Sequence, residues 1–164
     1  MKITGRILIL ICAMLQIIGC QQKVETVSSY QEIAKITVHN AAVGLGAVIQ
    51  NMDLILDQIK LMEEFITPIR FYPDETGYFY IYNYDCVNVA HATQKDLQGK
   101  DLTNFQDENG KYVIQELSAA AQKGGGYVEY YWVKPGETKE SRKLGYVEPI
   151  PGTEFFIGTG VYLK

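Results

Sequence analysis

The chain has 164 residues, 47% of them hydrophobic and 21% charged, the size and balance of one globular domain and not of a disordered or polytopic membrane chain. Its 15 Lys and Arg against 19 Asp and Glu give a net charge of −4. No basic surplus is left to neutralise phosphates, which argues against nucleic acid as a partner.

Lys2 and Arg6 form a short basic stretch, and Ile7 to Ile18 is then apolar except for Gln16. Twelve helical residues rise roughly 18 Å, short of the roughly 30 Å of a hydrocarbon core. The segment therefore reads as the core of an export signal, not as a membrane span. It ends Ile17-Ile18-Gly19-Cys20, followed by Gln21-Gln22, which resembles a bacterial lipobox. The resemblance implies a lipoprotein signal peptide over residues 1–19, lipidation of Cys20, and a membrane anchor worth about 0.8 kcal/mol per buried CH₂. Of the three cysteines, Cys12 leaves with the signal and Cys20 is acylated. Cys86 alone remains, so no intramolecular disulfide is expected.

From Val24 to about Ile66 there is no proline, and apolar residues recur at helical spacing, among them Ala34, Val38, Ala41, Leu45, Met52, Ile55, Ile59 and Met62. This predicts one long N-terminal helix, with Gly44 and Gly46 as points of bending or splitting. Residues 20–66 thus comprise the lipidated Cys, a short tether and the helix. Pro68 and the run Tyr72-Pro73-Asp74-Glu75-Thr76-Gly77 end it. Short β patterns follow: Tyr78–Tyr82, then Val87–His91, with a hairpin about Asp85-Cys86. Leu97 to Asn104 reads as a loop, and Tyr112 to Lys123 as a second helix closed by Gly124-Gly125-Gly126. Three further strands are predicted at Tyr127–Val133, Lys143–Glu148 and Phe155–Tyr162. The pattern is α+β, with a five-stranded antiparallel sheet as the simplest arrangement over 67–164.

Six segments of that region, in order, resemble the single Cache domain: Asp74 to Asp85; His91 with Gln98-Gly99-Lys100-Asp101-Leu102; Asp107 to Lys111; Lys123 to Trp132; Lys143 to Val147; and Phe156 to Tyr162. The resemblance implies a PAS-like sheet behind a long N-terminal helix. It implies an extracytoplasmic sensory domain, in the periplasm or at the cell surface, that binds a small organic acid. Short carboxylates are the expected class, and no cofactor is expected. As the sequence stops at Lys164, the expectation is a stand-alone, membrane-anchored lipoprotein that signals through a receptor or kinase partner. Parallel helix-to-helix dimers are the usual assembly of the family, and the oligomeric state stays open. Cys86 stands where a turn glycine is common, and Ala92 replaces a frequent proline.

A carboxylate needs a fixed cation and hydrogen-bond donors in an otherwise apolar pocket. Lys143, opening a strand, is the first candidate cation, and His91, closing one, is a candidate donor. Tyr131 and Trp132 alternate, so only one of them faces a given side of the sheet. Tyr80, Tyr146 and Arg70 complete the candidate ligand-binding set, Arg70 as a bidentate clamp. No nucleophile elbow, phosphate loop or zinc motif occurs, so neither catalysis nor a metal site is expected. The alternative is a ligand-free interaction or dimerisation scaffold, distinguished by a solidly packed interior in place of a cavity that holds a cation.

Overall fold

In a computed structural model, the backbone is described from Thr4 to Leu163 and side chains from Val27 to Leu163. The side chains of the expected signal peptide (1–19) and of Cys20 lie outside the described residues, and with them its cleavage and the lipidation. Helix α1 spans Thr4–Ile49 and α2 spans Ile55–Ile66. The single helix expected over 24–66 is therefore two, and the break lies at residues 50–54. The helix passes through Gly44 and Gly46 unbroken. Gly46 serves close packing instead: a Cβ there would stand 2.8 Å from the Pro151 carbonyl oxygen. Ala34, Val38, Ala41, Ala42, Leu45 and Ile49 are buried along one face of α1. Among the described residues no helix is long and apolar enough to cross a membrane.

The strands are β1 (Tyr80–Asn83), β2 (Asn88–His91), β3 (Gly126–Val133), β4 (Glu140–Pro149) and β5 (Phe155–Tyr162). Helix α3 (Val113–Gln122) precedes β3, and a 3₁₀ turn at Lys95–Leu97 ends where the expected loop begins. All pairings are antiparallel, in the order β2-β1-β5-β4-β3. The chain thus forms the α+β, five-stranded antiparallel sheet that its sequence pattern predicts, in the PAS-like arrangement that the resemblance implies. The last strand, β5, lies at the centre.

The β1–β2 hairpin turns through Cys86, whose φ of 63° is left-handed. That conformation explains why glycine suits this position. The turn is held by the Asn83 side chain, which accepts from the Val87 N–H at 2.8 Å. Helix α1 packs across β4 and β5, α2 against β2, and α3 against β3 and β4. Val113, Ile114, Leu117 and Ala121 form the buried face of α3.

The candidate anion site

Strand alternation decides which side chains meet under α3. Tyr80 pairs with Gly158, Gly145 with Gly160, and Lys143 with both Tyr130 and Tyr162. One face of the sheet therefore carries Tyr80, Tyr82, Tyr130, Trp132 and Lys143 over a floor of glycines. Added Cβ atoms at Gly145 and Gly158 would stand 2.7 and 2.5 Å from the Tyr130 and Tyr80 rings. At Gly160 a Cβ would stand 2.8 Å from Lys143 Cε. The glycines make room for large side chains to lie flat across the sheet.

Tyr80, Tyr82, His91, Ile114, Leu117, Tyr130, Trp132 and Lys143 enclose a cavity of about 10 Å³. That is room for about one water.

Lys143 is 1% exposed. Its ammonium donates to the Tyr78 hydroxyl at 2.9 Å. It also lies 4.1 Å from the centre of the Tyr78 ring, 4.9 Å from Tyr162, 5.4 Å from Tyr80 and 6.0 Å from Tyr130. No carboxylate pairs with it among the described residues. Burial alone pushes its pKa well below the usual lysine value. Ring quadrupoles offset part of that desolvation.

His91 is buried and stacked, with ring centres 6.2 Å from both Tyr80 and Trp132. Its Nδ1 accepts from the backbone N–H of Gln94 at 3.0 Å and of Thr93 at 3.4 Å. The neutral ring then carries its proton on Nε2. Burial first, then the charges of Lys143 and Arg70, lower its pKa to about 3, so the ring stays neutral around pH 7. Trp132 is fixed by its indole N–H, which donates to Gln94 Oε1 at 2.8 Å.

Four of the candidate residues thus gather at one cavity: Lys143, His91, Tyr80 and Trp132. Three do not. Tyr131 points to the opposite face from Tyr130 and Trp132, and its own N–H is bound by Asp107 Oδ2 at 2.9 Å. Tyr146 lies on the α1 face, where its hydroxyl donates to Glu148 Oε1 at 2.8 Å and its ring packs on Tyr127 at 4.6 Å. Arg70 is occupied by the carbonyls of Thr67, Ile69 and Ala92 at 3.1, 2.6 and 2.7 Å. Its charge reaches His91, but it does not line the cavity. Tyr130, Tyr82, Ile114 and Leu117 also line the cavity and are not among the seven candidates. Alternation from Trp132 points to Tyr130, and alternation from Tyr80 points to Tyr82.

The lining is cationic at one point and aromatic or aliphatic elsewhere. Among the described residues it offers one cation, neutral donors and aromatic walls, and no acidic side chain lines it.

Comparison with known proteins places the fold in a family. The Cache domain profile dCache_2 matches residues 50–164, more than half of the chain. The chain is 39% identical over 87 residues to the sensor histidine kinase MctS of Rhizobium johnstonii, covering 53% of this chain and 19% of the kinase. It is 32% identical over 91 residues to the methyl-accepting chemotaxis protein McpP of Pseudomonas putida, covering 55% of this chain and 17% of that protein. It thus spans under a fifth of the length of either curated relative. A crystal structure of a methyl-accepting chemotaxis protein from Vibrio parahaemolyticus superimposes with a TM-score of 0.74 at 29% identity, covering 87% of this chain and 95% of that one. The chain belongs to the Cache domain family, the extracytoplasmic sensory domains of chemoreceptors and histidine kinases.

Proposed function

We propose that this domain senses a short organic carboxylate, held on Lys143 in the cavity beneath α3, and passes its occupancy to a signalling partner. The observation that carries this reading is a buried ammonium with no acidic partner among the described residues. An uncompensated buried charge is costly, and a ligand carboxylate is the group that compensates it. His91 Nε2–H supplies a neutral donor beside it, and the rings of Tyr80, Tyr130 and Trp132 enclose the hydrocarbon part. The cavity has room for about one water, so the acid enters by displacing aromatic walls.

Membrane anchorage through Cys20 belongs to the same reading, on the strength of the lipobox pattern. The exposed apolar residues Ile33, Ile36 and Val43 of α1 favour a further role for that helix in docking a partner or a second copy.

Calorimetric titration with acetate, propionate, lactate and pyruvate tests the reading. Acetamide and propionamide serve as uncharged isosteres. Binding of at least one acid, with no binding of the amides, is expected. Equal binding of acid and amide, or none of either to folded protein, contradicts it.

A further inference from the structure

Two tyrosines outside the cavity wall complete the site. Lys143 has three N–H donors and no acceptor. One donates to the Tyr78 hydroxyl at 2.9 Å, and no second hydrogen bond from the ammonium occurs among the described residues. Tyr78 Oη lies 3.1 Å from Tyr162 Oη. The Tyr162 hydroxyl donates its single proton to the Val133 carbonyl at 2.9 Å. That settles the direction of the middle bond: Tyr78 donates to Tyr162. The three bonds therefore run one way, from ammonium to Tyr78 to Tyr162 to a β3 backbone carbonyl. Each bond in such a chain polarises the next.

Resting on the carboxylate reading above, we propose that Tyr78, held by Tyr162, is a positioning residue of the anion site. It anchors one N–H of the Lys143 ammonium and leaves the other two free to meet both oxygens of a carboxylate. Tyr162 acts only through Tyr78. It stands at the end of β5 and also lines a wide outer cleft with Tyr30, Tyr72, Lys134 and Arg142. The relay therefore connects the buried cation to the rim where β5 ends.

The groups that face the ammonium are few. Among the described residues, Tyr78, Tyr80, Tyr130 and Tyr162 surround it, His91 is neutral, and α3 contributes Ile114 and Leu117. Arg70 acts on Tyr78 from further off. Among these, the Tyr78 oxygen is the one acceptor bonded to the ammonium, so its loss destabilises the charged form of Lys143.

The test reads that ionisation without any ligand. In the full ¹³C-labelled chain, the Lys143 Cε chemical shift is followed against pH, assigned by its absence in Lys143→Met. Tyr78→Phe is expected to move the midpoint down by about one to two pH units, the worth of a hydrogen bond to a charged group. Tyr162→Phe, which keeps the ring, is expected to move it less in the same direction. Acetate affinity, measured across the same pH range, falls off at correspondingly lower pH in both variants. A purely structural role would weaken acetate equally at every pH and leave the midpoint in place, and that result overturns the proposal. If Tyr78→Phe does not fold, an unmoved midpoint in Tyr162→Phe overturns it alone. Failure of the wild-type chain to bind acetate bears on the carboxylate reading, while the midpoint still decides the relay.

Discussion

An ammonium buried in an aromatic box, with no acidic partner among the described residues, is a cost that the fold carries. Replacing Lys143 by Met keeps the volume and removes the charge. Lys143→Met is expected to raise the melting temperature of the ligand-free protein, by roughly 1–3 kcal/mol of stability, and to abolish anion binding. Thermal denaturation of the two proteins without and with acetate checks both parts. His91 makes a pH prediction. Its folded pKa of about 3 lies below the ordinary 6.5, so the unfolded chain binds the proton first. The stability due to the neutral ring is complete above about pH 6.5 and declines as pH falls towards 3, by roughly 1.4 kcal/mol per unit. Urea midpoints at pH 7, 5.5 and 4.5 should fall more steeply for the wild type than for His91→Phe. Part of this site is legible in the sequence. Lys143 and His91 stand out as charged or polar residues within apolar strand patterns. Tyr131 and Trp132 are harder, because alternation says that they oppose each other but not which faces the cavity. The choice depends on the register of β3 against β4, which no local pattern records.

At the scale of the elements, the site exists because β4 and β5 are stripped of side chains where the aromatics lie. Gly158→Ala puts a methyl 2.5 Å from the Tyr80 ring, with packed neighbours on both sides. This overpacking is expected to cost about 1–3 kcal/mol and to weaken acetate binding, whereas Gly44→Ala on α1, where nothing lies within 4 Å, should be neutral or stabilising. Chemical denaturation of the two variants separates the cases. The strands were readable because their alternation is strong, and each lies within three residues of its expected limits. The helix break was not. Residues 50–54 carry no proline or glycine, and the turn there lets Ile49 and Met62, on separate helices, both enter the core. That constraint is tertiary. Conversely, Gly46 looks like a helix breaker and serves the close approach of Pro151.

For the whole molecule, the sheet order places β5 between the hairpin that carries His91 and the pair that carries Lys143. The two halves of the site are thus 52 residues apart in sequence and converge only when the central strand is in place. The other face of the sheet is covered by α1, and the cavity lies on the α3 side. The central claim is that this cavity takes a carboxylate on Lys143. The most direct test is a thermal-shift comparison of the wild-type chain and Lys143→Met against acetate, propionate, lactate and pyruvate. Binding to the native state alone raises stability by about 2.7 kcal/mol at a hundredfold excess over Kd. The account predicts a dose-dependent rise in Tm for at least one acid in the wild type and none in Lys143→Met. An equal rise in both proteins, or no rise for any acid in the folded wild type, would contradict it.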